Sequence, residues 1–241
     1  KCELVLGNKP YTKNISKKPI VPLGQPGTFN EDGTSYPCLF NDQLYFTGWK
    51  KTINVPFENN LGLAVKKGNK FRLYSRAPIF ELSHSEPFGI GSVDIMKDTL
   101  YHCWYTAFTS WGTSKKIRHK YKIKYAYSID GKKWRRRTGD CIDFQKGEYA
   151  ICRPSVIYYN KMYHMVFCVR GNKYKLGYAY SYDKRNWERN DSLLQITNTP
   201  GTFDSKEMCY PHWFLHKNFL YLIYCGNDYG NEGIGIARLK L

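Results

Sequence analysis

Acidic groups are scarce in this chain: 20 Asp and Glu stand against 37 Lys and Arg, a formal charge of +17 over 241 residues. That balance directs a functional reading toward an anionic partner: nucleic acid, a membrane surface or an acidic glycan. Most of the Lys residues sit in turns (Lys66-Lys67, Lys132-Lys133, Lys184-Arg185), as on a solvated exterior, and only Lys115 to Lys124 is dense enough for a patch. Nucleic acid is therefore the least favoured partner. No run approaches 18 uninterrupted apolar residues, so no segment is long enough to span a membrane. Sustained 3.6-residue periodicity with caps is missing too, which leaves room for almost no helix. The eight Cys include no CxxC pair and no zinc spacing. Cys103, Cys168 and Cys225 sit in apolar runs, while Cys152 and Cys209 share one place in successive repeats, so free thiols of a reducing compartment are expected. There is no Gly-rich phosphate loop and no Gly-x-Ser-x-Gly elbow, and the six His fall at unrelated places; no cofactor and no metal are expected. No signal peptide is visible after Lys1, so the expected location is the cytoplasm, with secretion left open by what precedes Lys1. No domain linker appears, and residues 1–241 read as one domain.

What the chain does have is repetition. Pro26-Gly27-Thr28-Phe29 opens a stretch ending in Tyr36-Pro37, and Pro200-Gly201-Thr202-Phe203 opens another ending, at the same spacing, in Tyr210-Pro211. Between them Tyr125-Ala126-Tyr127-Ser128-Ile129-Asp130 with Trp134 returns 53 residues later (178 − 125) as Tyr178-Ala179-Tyr180-Ser181-Tyr182-Asp183 with Trp187. A period of about 50–60 residues built from short strands is the mark of a radial β-propeller. Ligands of a propeller normally sit on the central axis, where equivalent positions of the blades converge.

Each unit has the same text. An apolar strand follows a Pro or small residue (Pro37-Cys38-Leu39-Phe40, Ser92-Val93-Asp94-Ile95, Pro154-Ser155-Val156-Ile157, Pro211-His212-Trp213-Phe214). A polar turn leads to an aromatic second strand, and a third strand carries Ala64, Ala126, Ala179 or Ala237 at equivalent places. In two units a fourth segment opens on Trp134 or Trp187. The expected blades are centred near 34–80, 91–140, 151–195 and 208–241, with residues 1–25 as outer strands, and the polar interruption Ser110-Trp111-Gly112-Thr113-Ser114-Lys115 marks a hairpin insertion on one rim. Lys18-Pro19-Ile20-Val21 reads like Ala77-Pro78-Ile79-Phe80, the late part of a unit. The N-terminal residues either complete the last blade, making four, or belong to an earlier one, making five.

The turn Ser128-Ile129-Asp130-Gly131-Lys132-Lys133-Trp134 resembles that of the five-bladed propeller glycosidases, which include arabinanases, β-xylosidases, invertases and mannoside phosphorylases. Four segments in order are similar to uncharacterised glycosidase-like propellers found with bacterial surface-polysaccharide genes: Pro26 to Pro37, Glu148 to Pro154, Phe203 to Pro211, and Tyr224 to Gly235. The resemblance implies an all-β fold of five blades, the inner strands of the first lying before Lys1, and activity on a bacterial glycan or sugar precursor. One departure stands out. The established glycosidases of that superfamily place an Asp before Pro at the first inner strand as catalytic base; the comparable positions here hold Tyr36, Arg153 and Tyr210.

Residues just before or at the start of the inner strands are expected to line the axis: Asp32 and Tyr36, Asp94, Glu148 and Arg153, then Asp204, Glu207 and Tyr210, with Arg170 reaching the same rim from a second strand. Converging carboxylates supply general acid and base, Arg clamps an anionic group, and phenols stack on sugar rings. In the hydrolase reading Glu207 or Glu148 is the acid/base carboxylate, Asp32 or Asp94 its partner and Arg153 the substrate clamp. The rival readings are a non-catalytic, lectin-like propeller using the same pocket, and a basic scaffold for protein or nucleic acid. The expected partner is a carbohydrate, with an anionic group for the Arg to hold.

Overall fold

Apolar and aromatic runs of seven or eight residues, cut by Asn, Asp and Gly turns, fold locally into antiparallel hairpins, because each turn returns the chain beside the strand it has just made. The computed structural model describes residues 1–241 except Asn8, Ser114 and Leu241. A hairpin of β1 (Glu3–Val5) and β2 (Tyr11–Lys13) precedes four meander units. The first is β3 (Gly33–Phe40), β4 (Gln43–Lys50), β5 (Glu58–Lys67) and β6 (Lys70–Leu73). The second is β7 (Ile90–Lys97), β8 (Tyr101–Thr113), β9 (Lys116–Ser128) and β10 (Arg135–Arg136). The third is β11 (Ala150–Tyr159), β12 (Met162–Arg170), β13 (Tyr174–Ser181) and β14 (Glu188–Arg189). The fourth is β15 (Cys209–His216), β16 (Phe219–Cys225) and β17 (Ile234–Lys240). Pairing within every unit is antiparallel; among the described residues one parallel bridge, Ala150 to Tyr121, links the second unit to the third. Among the described residues, helical hydrogen bonding is confined to two four-residue segments, a 3-10 turn at Asp191–Leu194 and an irregular turn at Asn227–Gly230. No helix among the described residues is long and apolar enough to cross a membrane.

The core lies between successive units. Tyr45, Leu61, Leu63 and Phe80 of the first pack on Ile90, Val93 and Tyr105 of the second. Trp104, Ile123 and Tyr125 of the second meet Ile151, Met165 and Phe167 of the third, and Val166 and Leu176 meet Trp213, Leu222 and Tyr224 of the fourth. Each such side chain contributes roughly 1.5–3 kcal/mol by leaving water. Three of the four small third-strand residues behave as expected: Ala64, Ala126 and Ala179 are fully buried, opposite Leu44, Cys103 and Met165, while Ala237, opposite Leu222, is only partly buried. Gly177 takes the principle further, since the Phe167 ring lies where its Cβ would be.

The Ser-x-Asp turns are latches between units. Asp130 accepts the amides of Lys132 and Lys133, and Asp183 those of Arg185 and Asn186. These caps hold Gly131 (φ 70°) and Lys184 (φ 72°) in the left-handed region. The carbonyls so presented accept from the preceding unit: Tyr45 Oη donates to Gly131 and Trp104 Nε1 to Lys184, each at 2.9 Å. Trp134 and Trp187 then pack on Tyr45 and Trp104. The rim insertion is a long β8–β9 hairpin; Ser114 of the expected insertion lies outside the described residues.

One expectation about the strands needs correction. Pro37, Pro154 and Pro211 do not open strands but lie inside β3, β11 and β15, at a break in register. Proline has no N–H for the ladder, and a bulge is the place in a strand interior that tolerates this. The residue before each Pro is left-handed: Tyr36 at φ 51°, Arg153 at 57° and Tyr210 at 53°.

Candidate functional site

Left-handed backbone is uncommon for side chains as large as these and concentrates at functional sites. Here its effect is to turn three residues of three different units toward one point. With Gly91 and Ser92 at the corresponding break in β7, Tyr36, Arg153 and Tyr210 form the floor of a pocket where the four inner strands meet. The cavity is about 220 Å³. Tyr121, Tyr174, Tyr229, Arg170, His119 and Phe57 raise its walls.

The electrostatics of the pocket are one-sided. The Arg153 guanidinium lies 4.6 Å from the Tyr36 ring and 5.3 Å from that of Tyr210, and its buried Nε has no hydrogen-bond partner. Arg170 lies 5.0 Å from the Tyr174 ring and donates to His119 Nε2 at 3.3 Å. Burial and the Arg170 charge push the His119 pKa down, so the imidazole is neutral and accepts that bond. Burial pushes the phenols of Tyr36, Tyr121, Tyr174 and Tyr210 up, so they stay protonated and remain available as donors. Tyr121 and Tyr174 join hydroxyls at 2.7 Å. Among the described residues neither Arg153 nor Arg170 makes an ion pair with a carboxylate, and no Asp or Glu lines the cavity.

Of the residues singled out from the sequence, the structure therefore brings together Tyr36, Arg153, Arg170 and Tyr210. The expected convergence of five carboxylates does not occur, and in each case the carboxylate is held elsewhere. Glu148, after the left-handed Gly147, is enclosed away from the pocket and gripped by both terminal Arg189 nitrogens at 2.7 and 2.8 Å, by Lys175 and by the Gln145 amide. Those partners hold its carboxyl down to about 2 against the opposing effect of burial. Asp32 accepts the Lys51 amide at 2.7 Å. Asp204 is buried and accepts from Thr202 Oγ1, the Thr199 amide and Tyr224 Oη, closing the Pro-Gly-Thr-Phe turn. Glu207 stands behind the wall, accepting the amides of Tyr174 at 3.3 Å and Asp228 at 3.0 Å, and so fixes two segments whose tyrosines line the pocket.

Asp94 faces a second, larger cavity of about 1030 Å³ that shares only Arg153 with the first. Its carboxylate accepts the Val156 amide at 2.5 Å and the Cys38 thiol at 3.6 Å, and burial raises its pKa against those bonds. His212 lines the same cavity.

Sequence reasoning missed Tyr121, Tyr174, Tyr229, His119 and Phe57. A signal existed for the first two: they stand 53 residues apart (174 − 121), the offset of the Tyr-Ala repeat. Tyr229 carries no such mark, because a non-repeated turn with Asp228 and Tyr229 left-handed brings it in.

No family model matches the sequence. Solved structures similar to this chain are glycoside-hydrolase propellers. One, described as a glycoside hydrolase, is 17% identical with a TM-score of 0.68, over 90% of this chain and 72% of that one. A thermostable family-43 glycoside hydrolase is 14% identical with a TM-score of 0.62, over 87% and 70%. A structure from work on the GH130 family of mannoside phosphorylases reaches 0.58 at 17% identity, over 89% and 66%. These likenesses establish the fold, a glycosidase-like β-propeller. Sequence similarity is closer to uncharacterized protein Rv1502 of Mycobacterium tuberculosis (strain H37Rv), with 32% identity over 99% of this chain and 81% of that protein. Uncharacterized protein MT1551 of strain CDC 1551 matches to the same extent. At that identity and coverage, the chain belongs to the family of these mycobacterial proteins, and its fold is the glycosidase-like propeller.

Proposed function

We propose that the protein binds an acidic sugar residue in the pocket where the inner strands meet, as a carbohydrate-binding propeller of glycosidase-like fold. The observation that carries this reading is a pocket with two guanidiniums, a tyrosine lining and no carboxylate among its described residues. Arg presents a planar fork that matches a carboxylate or phosphate with two parallel hydrogen bonds. A buried donor left without a partner costs about 1–3 kcal/mol; the Arg153 Nε is in that condition, and the guanidinium charge beside it favours an anionic acceptor over a neutral one. Tyrosine faces offer a stacking surface to a sugar ring, and protonated hydroxyls offer it donors. The cavity lies at the small end of ligand sites, which suits one sugar unit rather than a chain. Similarity to carbohydrate-active propellers supplies the ligand class. In this reading Glu207 is a positioning residue for Tyr174 and Tyr229, and Glu148 an outer brace. Titration calorimetry with a uronic acid and its neutral parent hexose tests the proposal. Preference for the uronate by tenfold or more supports it; equal affinity for the two sinks it.

A second reading, glycoside hydrolysis, is favoured by one observation. Asp94 is a half-buried carboxyl of raised pKa at the edge of the larger cavity, the kind of group that can deliver a proton. Hydrolysis of aryl glycosides abolished by Asp94→Asn with sugar binding retained would make the protein an enzyme with Asp94 as its acid.

A further inference from the structure

Two cross-strand dithiols flank the pocket. Cys209 on β15 is opposite Cys225 on β16, and Cys152 on β11 is opposite Cys168 on β12, at equivalent places in successive units. Opposed residues in antiparallel strands have Cα atoms about 4.5–5.5 Å apart. That range falls inside the roughly 4.4–6.8 Å that a disulfide spans. All four are free thiols, and they share one apolar cluster with Tyr174 and Tyr210 of the pocket wall.

The pairs differ in access and acidity. Cys152 and Cys168 are both buried, burial raises the Cys168 pKa, and the Cys168 sulfur already accepts the Tyr210 amide at 2.8 Å. Cys209 is buried but Cys225 is only partly so. A hydrogen bond from the Cys209 thiol draws the Cys225 pKa down to about 7 against the effect of burial, and the Arg153 charge adds to it. The same bond raises that of Cys209. Cys225, the more exposed and more acidic thiol, thus stands beside a buried protonated neighbour, the arrangement of an attacking and a resolving thiol.

We propose that Cys209 and Cys225 form a site of reversible oxidation by peroxide, with Cys225 attacking and Cys209 resolving. The Cys225 thiolate attacks one oxygen of hydrogen peroxide; the O–O bond breaks, leaving a sulfenic acid and a hydroxide that takes up a proton. The Cys209 sulfur then attacks the Cys225 sulfur. An S–S bond forms, the S–O bond breaks, and the Cys209 proton leaves with the sulfenic hydroxyl as water. Two thiols are oxidised, and one peroxide is reduced to two waters.

The test is peptide mapping of the whole reduced protein after hydrogen peroxide treatment, denaturation and alkylation. The free thiol count is expected to fall from eight to six, with Cys209 linked to Cys225, Cys152 and Cys168 still alkylated, and the count restored by dithiothreitol. Cys209→Ser is expected to leave Cys225 as a sulfenic acid that dimedone labels, with no linkage. Retention of all eight thiols after peroxide, or a Cys152–Cys168 linkage in place of the expected one, overturns the proposal. The map of the wild-type protein decides between these outcomes even if the variant does not fold.

Discussion

Arg153 is held in place by features that serve no purpose for a solvated arginine. Its backbone is left-handed, its amide donates to Thr106 Oγ1 at 3.3 Å, and its guanidinium packs against two tyrosine rings. Hydrogen bonds to a charged group are worth about 1.5–3 kcal/mol, or roughly 10- to 150-fold in affinity. Arg153→Gln is therefore expected to weaken uronate binding by at least about tenfold and to leave the weak binding of the neutral hexose unchanged, as read by calorimetry. Arg153→Lys should not restore it, since an ammonium lacks the fork. Equal losses for both sugars would mean that Arg153 supports the shape of the pocket rather than the anion. Glu148 illustrates the opposite case, a charge used for stability. Its carboxyl is lowered from 4.5 to about 2 by Arg189, Lys175 and the Gln145 amide. A carboxyl depressed in the folded state stabilises above its unfolded pKa, and that contribution disappears as pH falls through the folded value. Urea unfolding of the wild type should thus lose stability steeply between about pH 5 and pH 2. Glu148→Gln should be less stable at pH 7 by about 3 kcal/mol and show a flatter decline over that range. Parallel profiles would show that the ion pair contributes nothing to folding.

The bulges and the Ser-x-Asp turns divide the work of each unit, the former shaping the pocket and the latter joining neighbours. A non-glycine residue in the left-handed region costs roughly 1–2 kcal/mol. Arg153→Gly removes that strain along with the side chain. It is expected to keep thermal stability within about 1 kcal/mol of the wild type or raise it, while abolishing acidic-sugar binding. A large fall in stability would assign the bulge a structural role instead. Asp183→Ala tests the other half: losing the caps on Arg185 and Asn186 should cost about 1–2 kcal/mol through the Trp104–Lys184 latch and leave sugar affinity unchanged. This division explains what could be read from the sequence. The period, the four units, the alanine third strands and the tryptophans were legible because each reflects a packing need that recurs along the chain. The most conspicuous motif, the Ser-x-Asp turn, proved to be a latch rather than part of the pocket. Position before Pro led to Tyr36, Arg153 and Tyr210, which line one cavity. It failed to place Glu148, Glu207, Asp32 and Asp204 there, because a carboxylate in a loop is captured by nearby amides and arginines, and chain spacing does not encode which. Asp94 lies on an inner strand, as its apolar neighbours indicated, but which side of Arg153 it faces depends on the bulge in β7.

At the scale of the whole molecule, the pocket is built from all four units, so whatever fills it ties them together. Tyr36 of the first unit and Tyr210 of the last meet edge-on, 5.8 Å between ring centres, beside the Arg153 side chain. A ligand that binds only the folded state at 100 times its dissociation constant should add about 2.7 kcal/mol of stability, visible as a rise in melting temperature with uronate but not hexose. The net charge of +17 acts at longer range. Exposed lysines contribute little to the depth of binding, yet they create a field that draws an anion toward the surface, and salt screens that field over about 10 Å at 0.1 M. The two pocket arginines are partly enclosed by aromatic rings and are screened far less. Affinity and encounter should therefore separate. For an acidic oligosaccharide measured by surface plasmon resonance, the association rate is expected to fall by tenfold or more between about 0.02 M and 0.5 M salt, while the dissociation rate changes by less than about threefold. Arg153→Gln should reverse the pattern, keeping the salt-sensitive association rate and raising the dissociation rate. An association rate indifferent to salt would show that the basic exterior serves solubility alone; an unchanged dissociation rate in Arg153→Gln would place the anion on the surface lysines and outside the pocket.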